Sequence, residues 1–487
     1  MPAFAINTAL TARRCARRWV QLCLTPSGVP IMTRSLFASS TTFKLFVLGA
    51  LSLLLLIPLS LIYGLVQERA GLASEAEGRI AAGWGREQNV LLPLLRFEYS
   101  RERSNADHEL IKERRSLLLS AAEARVRASL SAESRQLGIY ALPIYTAQLS
   151  IDAEFDRSQM DSAAEVEDGW NLQQVSLLLA PGDLTGLREI RKLTVAGLPV
   201  QLKPRAERWN LGAVPAGSSS FDRPVLGAPI AWSEDGQDRV PVSLELELAG
   251  ARALNVVPNA AEFEFALSGD WPHPGFAGGA LPRQREIGAQ GFSADWRLLD
   301  LSTGIPTLIR GADAMSVWGQ QAVGVALVEP GGVYQQNERS AKYGILVLAL
   351  TMAALFLTEV LVGVRLHPFH YALVGLALAV FYLLLLALSE HLGFVSAYLL
   401  AAGAVVAMVG GYSAAVLQGW LRGLLGGGVL AGLYGFLLVL IQAEELSLLL
   451  GAIGLALLLA TAMYLTRRLD WYSAAPESSD LSSDRTP

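Results

Sequence analysis

Residues 371–389 read YALVGLALAVFYLLLLALS, a charge-free run that is followed at once by Glu390 and His391. About 20 apolar residues are enough to span a bilayer, so the run predicts a transmembrane helix that ends at Glu390. The adjacent carboxylate and imidazole then have two interpretations. They are either a functional pair or the polar cap of a helix that has reached water.

The composition of the whole chain agrees with a membrane protein. Of 487 residues, 52% are hydrophobic and 17% are charged, whereas soluble proteins carry about 25% charged residues. Runs of similar length recur, and only Glu359 interrupts one of them. Together they predict six transmembrane helices, one early and five near the C-terminus, over residues 45–66, 343–364, 371–389, 392–421, 423–443 and 446–466.

A polar, turn-rich segment, residues 67–341, separates the first helix from the other five and predicts a soluble domain. Its net charge is −9, against −5 for the whole chain. Lys and Arg collect in cytoplasmic loops, so we expect cytoplasmic termini and a periplasmic domain. The predicted order is a cytoplasmic segment (1–43), transmembrane helix (44–66), periplasmic β-rich domain (67–341), five-helix bundle (342–466) and cytoplasmic tail (467–487).

The first apolar run is longer than the core of a signal peptide and has no clear cleavage site after it, so we interpret it as a retained anchor. Met32 begins a short basic lead into this helix, and we expect translation to start there. Cys15 and Cys23 both precede the helix. The exported domain is therefore expected to fold without a disulfide.

Within the exported domain, five segments alternate apolar and polar residues as half-buried antiparallel strands do. Gly, Pro, Asn and Asp separate them, which predicts an all-β, sandwich-like domain. Residues 69–82 instead predict a helix that continues the first membrane helix outward, and the pattern of residues 105–136 fits either helix or strand. The five predicted strands are residues 147–155, 192–202, 240–248, 262–271 and 292–301.

Motifs for nucleotide binding, metalloprotease or redox chemistry and a hydrolase nucleophile elbow do not occur in the sequence. We therefore expect no enzymatic activity, no cofactor and no metal. His367 and His370 have a spacing that metal ligands use, but Pro368 between them argues against a site. His273, between Pro272 and Pro274, is expected to be a turn residue. Trp271, Pro272, His273 and Pro274 form a candidate periplasmic motif.

Glu359 is the most informative polar residue inside a predicted span. A charge at a helix centre costs about 2.5–3.5 kcal/mol, so we expect something to offset it. The alternatives are an ion or proton relay, a partner on another helix, or an extended side chain that reaches the headgroups. Glycines four apart, Gly423 with Gly427 and Gly428 with Gly432, predict close helix packing. The candidate functional polar residues are Glu359, Arg365, His367, His370, Glu390 and His391.

Several stretches, in order, resemble the CreD family of inner-membrane, cell-envelope integrity proteins. The resemblance runs from about residue 43 to residue 473. It departs at residues 84–93, which lack the family's glycine before Pro93, and at Gly331-Gly332. The stretches that carry it are IPLSLIYGLVQERAG (57–71), SGDWPHPGF (268–276), RSAKYGIL (339–346), RLHPFHYALVGLALAVFYLLLLALSEHLGF (365–394) and LTRRLDWY (465–472).

The resemblance implies a bacterial inner-membrane protein that is tied to a two-component stress response, with neither enzymatic activity nor cofactor. Two hypotheses follow. In the first, a non-enzymatic protein binds a periplasmic or envelope protein through its β domain, and the bundle anchors or relays that contact. In the second, the bundle is a transporter or channel with a polar path along Glu359, Glu390 and His391. Both make the lipid bilayer a partner, neither involves nucleic acid, and the sequence leaves the oligomeric state open.

Overall fold

The computed structural model describes residues 41–104, 110–159, 170–212, 222–232, 238–310, 312–329, 332–362, 366–416, 419–443 and 446–467. Within these residues the chain forms one long helix, a domain of seventeen strands and a helical bundle. Cys15, Cys23, Met32 and Arg365 lie outside the described residues, and the expectations about them stay predictions.

The first helix, α1, runs without a break from Thr41 to Trp84. At a rise of 1.5 Å per residue its 44 residues reach about 66 Å. A hydrocarbon core is about 30 Å thick, so the apolar first half is long enough to cross it. The polar second half continues to the β domain, which confirms the helix predicted for residues 69–82.

Two sheets make up the β domain. The nine-stranded sheet has the order β13-β17-β11-β1-β5-β9-β8, with β2 paired to β1 and β16 paired to β2, and the eight-stranded sheet has the order β14-β15-β12-β3-β4-β10-β6-β7. The strands are β1 (Gln88–Ser104), β2 (Leu110–Leu119), β3 (Ala121–Leu137), β4 (Tyr140–Asp156), β5 (Asn171–Ala180), β6 (Leu187–Val195), β7 (Leu198–Pro199), β8 (Lys203–Asn210), β9 (Asp222–Ile230), β10 (Arg239–Ala251), β11 (Ala253–Val257), β12 (Ala260–Gly269), β13 (Pro274–Gly278), β14 (Gln284–Gly288), β15 (Gly291–Leu299), β16 (Leu308–Ile309) and β17 (Val323–Leu327).

The two sheets share one hydrophobic core, to which the nine-stranded sheet contributes Val90 and Phe97 and the eight-stranded sheet contributes Phe263 and Trp296. Burying apolar side chains between sheet faces is the main force that holds such a sandwich together. A second cluster, with Trp209 and Trp318, lies where the 3₁₀ helix Ala312–Gln321 packs against β8 and β11 of the nine-stranded sheet. The predicted β-rich sandwich is therefore confirmed.

The structure differs from the sequence prediction in two details and resolves one alternative that the sequence left open. The pairs β1–β11 and β3–β12 are parallel, although only antiparallel pairing was expected. The single strand predicted over residues 192–202 is broken by a turn at Ala196 and Gly197, which both have positive φ. The described part of residues 105–136, which fitted helix or strand, forms strands β2 and β3.

In the part of the chain that the structure describes, six helices follow the β domain. Among the described residues, four helices are long and apolar enough to cross a membrane, α1 included, and α2 with α3 makes a fifth span if the 45° bend between them is counted within one crossing. The predicted number of six is thus not confirmed. The bundle helices are α2 (Val333–Lys342), α3 (Gly344–Val362), α4 (Pro368–Leu392), α5 (Phe394–Val416), α6 (Trp420–Gln442) and α7 (Ser447–Thr466).

Helices α5 and α6 approach closely through small residues. A Cβ on Gly423 would lie 2.3 Å from that of Ala414, and one on Gly427 would lie 3.4 Å from the Cα of Gly410. The predicted close packing is confirmed for this pair of glycines. It is wrong for Gly428 and Gly432, because a Cβ there would meet no atom of the described chain within 4 Å.

Candidate functional site

Polar side chains gather at the two ends of the bundle. We call the end that faces the β domain the domain-proximal end and the other the domain-distal end. At the domain-distal end, Glu359 of α3 is only 9% exposed. Its Oε1 accepts a hydrogen bond from Nζ of Lys44 at 2.5 Å, and its Oε2 accepts one from the Tyr371 hydroxyl at 2.7 Å. This cluster joins α1, α3 and α4.

The Glu359 contacts favour one of the three interpretations given above. Both carboxylate oxygens have a donor, one of them a cation, and such pairing offsets the cost of burying a charge. The partner on another helix is therefore Lys44, 315 residues away in sequence. Neither Lys44 nor Tyr371 was among the candidate residues.

His367 and His370, also at the domain-distal end, have separate partners. His367 caps α4, where its Nδ1 accepts the Phe369 N–H at 3.3 Å. The Nδ1 of His370 contacts the Tyr412 hydroxyl on α5. Within the described residues no group of three or more potential metal ligands occurs, and the two rings have helix-capping and interhelical roles.

At the domain-proximal end, Glu390 is turned inward, and its side chain is 11% exposed. Its Oε1 accepts a hydrogen bond from the Tyr334 hydroxyl at 3.3 Å and lies 4.0 Å from Nε of Arg69 on α1. The ring of Tyr334 in turn stacks at a tilt on Tyr140, with centroids 6.0 Å apart. Tyr140 begins β4, so Glu390 connects α1, α2 and the β domain.

His391 has a different environment from Glu390. Successive residues on a helix point about 100° apart, and His391 is exposed. Among the described contacts its ring forms no hydrogen bond or ion pair with the Glu390 carboxylate. The buried neighbour of Glu390 is instead Ser389, whose hydroxyl accepts a hydrogen bond from Nδ2 of Asn337 at 2.8 Å.

The junction between α1 and the β domain is a contact that the sequence prediction missed. The ring of Trp84 contacts the guanidinium groups of both Arg135 and Arg188, whose Cζ atoms are 5.1 and 4.7 Å from its centroid. Its Nε1 donates to the Tyr145 carbonyl at 3.2 Å, and Arg188 donates to the Trp84 carbonyl at 2.9 Å. Such cation–π contacts hold the end of α1 on the eight-stranded sheet. The Trp-Gly pair in WGREQNVLLP was the available signal.

The Trp271–Pro274 motif connects a turn to the segment that leads into the bundle. Nε1 of Trp271 donates to the Val328 carbonyl at 3.0 Å, and the Val328 N–H donates to the His273 carbonyl at 3.2 Å. The His273 side chain is exposed and Pro272 and Pro274 are half-buried. The motif therefore fixes the chain at Val328, just after β17 and five residues before α2 begins.

The outer face of the eight-stranded sheet carries a shallow polar groove of about 470 Å³. Short side chains form its floor, and charged side chains of both signs stand at its rim. Its lining has no aromatic residue and includes hydroxyl, amide and charged groups to which a partner can hydrogen-bond. The residues of this polar groove include Arg127, Ser129, Gln148, Ser150, Arg191, Glu245, Ser268, Ser293 and Asp295.

Comparison with known proteins identifies the family. A family model described as "Inner membrane protein CreD" matches residues 40–472. The inner membrane protein CreD of Escherichia coli (strain K12) is 31% identical over 426 residues, which cover 86% of this chain and 91% of that protein. With its several apolar helices, this is a multi-pass inner-membrane protein. The match runs through the membrane helices and the whole β domain, and the chain belongs to the CreD family.

Proposed function

We propose that this protein supports cell-envelope integrity or the response to envelope stress without catalysing a reaction. Its β domain binds an envelope protein in the periplasm, and α1 relays the state of that contact to the cytoplasmic end of the bundle. The observation that carries the proposal is α1 itself, which is continuous from Lys44 to Trp84 and is fixed at three levels.

The spacing of the three attachments fits a relay. Lys44 pairs with Glu359 at one end of the bundle, and Arg69 approaches Glu390 at the other. The 25 residues between Lys44 and Arg69 rise about 37 Å, slightly more than a hydrocarbon core. Trp84, about 22 Å further along, is held by the β domain. A movement of the β domain is therefore transmitted to α1, which is also attached to the bundle near both bilayer surfaces.

The positions of the positive charges support cytoplasmic termini and a periplasmic β domain across six spans. In the sequence, Lys44, Arg365, Arg422 and Arg467 flank the predicted spans on the side of the chain termini, whereas the acidic segment 67–341 follows the first span on the other side. Reporter fusions after Thr466 test this topology. A fusion that is active only in the periplasm contradicts it.

The transporter alternative has less support from the same geometry. Tyr371, which bonds Glu359, and Glu390 are 19 residues apart on α4, or about 28 Å. Between these levels the inner face of the bundle is filled by buried apolar side chains such as Leu378 and Phe381. The two carboxylates are thus engaged separately at opposite ends of the bundle.

Site-specific photo-crosslinking in living cells tests whether the polar groove of the β domain binds an envelope protein. We expect a photo-reactive residue at Ser150, in the polar groove, to capture a discrete envelope protein. The matched control is Val317, which is 59% exposed on the 3₁₀ helix Ala312–Gln321 that packs against the nine-stranded sheet. Capture of the same protein from both positions, or of none from Ser150, contradicts a partner in the groove.

A further inference from the structure

Two adjoining cavities lie in the domain-distal half of the bundle, between α3, α4, α5 and α6. Both are lined by Leu355, Thr358, Val374, Ser413 and Gly426. Because they share these walls, the two cavities form one continuous groove, which we call the membrane groove. Val374 is buried, and the other four residues are half-buried. The groove is therefore open on the flank of the bundle and is not sealed inside its core.

Small residues create the space in the membrane groove. Gly426 of α6 has no side chain, and a Cβ at this position would lie 3.6 Å from both Cβ and Oγ of Ser413 on α5, which is an ordinary van der Waals distance. The surroundings of Gly426 therefore tolerate a side chain. Since both residues line the groove, a larger side chain at either position fills part of it.

The membrane groove has the length and direction of a lipid chain. Along α3 it extends from Thr358 inward to Thr351, and along α6 from Gly426 inward to Leu433. Seven residues of helix rise about 10 Å in each case, and one leaflet supplies half of a hydrocarbon core that is about 30 Å thick. The groove therefore follows the helices through most of the domain-distal leaflet.

The walls of the groove suit an aliphatic chain. The Thr351 hydroxyl donates to the Val347 carbonyl at 2.7 Å, and the Thr358 hydroxyl donates to the Ala354 carbonyl at 2.8 Å. Both hydroxyls are thus satisfied within α3 and require no polar ligand. A groove that is open at this depth borders hydrocarbon, where polar groups have no water to bind. An apolar occupant is therefore favoured over water.

An unused hydrogen-bond donor lies at the domain-distal end of the groove. His370, in the first turn of α4, lines the groove there together with Tyr412. Its Nδ1 contacts the Tyr412 hydroxyl, whereas its Nε2 forms no hydrogen bond with any described part of the chain. A neutral imidazole that accepts at Nδ1 carries its proton on Nε2. The groove thus joins an apolar channel to a donor at the level of the lipid headgroups.

We propose that the membrane groove binds one phospholipid of the domain-distal leaflet. One acyl chain lies along α3 between Thr358 and Thr351, and a phosphate or ester oxygen of the same lipid accepts a hydrogen bond from Nε2 of His370. A phospholipid has both parts in the required order, with the polar group at the bilayer surface and the chain below it. The bound chain fills the space that α3 leaves against α5 and α6.

Photo-crosslinking from the lipid tests the occupant. The full-length protein is placed in nanodiscs of phosphatidylethanolamine and phosphatidylglycerol, with a small share of phosphatidylethanolamine that carries a diazirine in one acyl chain. Mass spectrometry then locates the adducts. We expect a higher yield at Thr358 and Ser413 than at Leu457 and Leu459 of α7, which are 63% and 61% exposed to general bilayer lipid. An absence of adducts in the groove, as when water or a protein fills it, overturns the proposal.

Filling the groove supplies a matched comparison. We expect Gly426→Leu to lower the adduct yield at Thr358 about tenfold, because the leucine occupies the space of the lipid chain. Gly428→Leu makes the same change two residues later on α6, where a Cβ would meet no described atom within 4 Å, and should leave the yield unchanged. Ser413→Leu fills the groove from α5 and repeats the test if Gly426→Leu does not fold. Equal yields for the filled variant and Gly428→Leu overturn the site.

The headgroup contact is tested in the same nanodiscs. His370→Phe keeps a ring but removes the donor, and the loss of one hydrogen bond is expected to lower the adduct yield at Thr358 about fivefold. Tyr412→Phe removes the hydroxyl that contacts His370 but leaves the imidazole, so the yield should stay close to that of the unmodified protein. An unchanged yield for His370→Phe, or equal losses for the two variants, contradicts a lipid held by His370.

Discussion

At the scale of single residues, burial distinguishes the two members of the Glu390-His391 pair. The carboxylate is nearly buried and has Tyr334 and Arg69 as neighbours, whereas the imidazole is exposed. From the sequence, Glu390 and His391 were either a polar cap or a functional pair. Tyr334 could not be predicted as a neighbour, because it lies 56 residues before Glu390 and only the packing of α2 against α4 brings the two together. Of the two residues, Glu390 is the one that is connected to the β domain, through Tyr334 and Tyr140.

Replacing Glu390 tests this difference. We expect Glu390→Ala to destabilise the protein by about 1–2 kcal/mol, because the Tyr334 hydroxyl loses its acceptor in a partly desolvated contact. Glu390→Gln keeps an acceptor oxygen and is expected to cost about half as much. His391→Ala is the exposed control and should stay within about 0.5 kcal/mol. Unfolding in detergent and complementation of an envelope-stress phenotype at matched abundance measure the effect. Equal losses for Glu390→Ala and His391→Ala contradict it.

Glu329 makes stability depend on pH. Partial desolvation, and then the nearby Glu77 carboxylate, raise the pKa of Glu329 above its ordinary value of 4.5. Between these two pKa values the folded state holds more protons than the unfolded state, so stability falls as pH rises through this window and then levels off. We expect Glu329→Gln to shrink this fall in the unfolding midpoint between pH 4.5 and neutral pH. An unchanged pH profile contradicts the prediction.

At the scale of elements, α1 depends on its attachments. The apolar half of α1 was recognisable from its length alone, because a charge-free run of more than about 18 residues is typical of a transmembrane helix. Its partners were not, because Lys44 and Glu359 are far apart in sequence and only packing brings them together. Charge swapping therefore probes the element directly.

We expect Lys44→Glu to place two carboxylates together and to destabilise the protein by about 2 kcal/mol. This is less than the 3–5 kcal/mol that is typical of fully buried pairs, because Lys44 is one-third exposed. Adding Glu359→Lys restores the attraction and should recover at least half of the loss. Complementation of the stress phenotype is expected to follow the same order. If the double variant is worse than either single variant, the ion pair does not secure α1.

The end of α1 offers a matched glycine pair. Gly85 has φ 144°, and a Cβ there would lie 2.4 Å from the Ala249 carbonyl oxygen. Gly85→Ala should therefore cost about 2 kcal/mol or more. Gly83, two residues earlier and inside the helix, has open space around it, so Gly83→Ala should stabilise the helix by about 0.5–1 kcal/mol. Chemical denaturation measures both. Similar effects of the two changes contradict the assigned geometry.

At the scale of the whole molecule, the strands that could be predicted from the sequence are those that are buried on one face only. Strands that are half-buried alternate, and all five alternating segments are strands or contain one. The first half of β1 is buried on both faces, with Leu92 and Leu95 in the core and Leu91 and Leu94 in the second cluster. Burial on both faces removes alternation, so the central strand of the nine-stranded sheet was not predicted.

The two parallel pairings join strands that are far apart in the chain. In β1, Gln88 pairs with Leu254, and in β3, Glu123 pairs with Glu262, so both strands wait for chain that is synthesised well over a hundred residues later. Such long-range closure is slow, and unpaired strand edges attract wrong partners in the meantime. The late partners β11 and β12 are neighbours in the chain, within Ala253–Gly269. This one short segment therefore supplies the parallel partner in both sheets and the strands on which β17 and β15 then pair, so an error in it leaves each sheet unfinished while α1 is already in the bilayer.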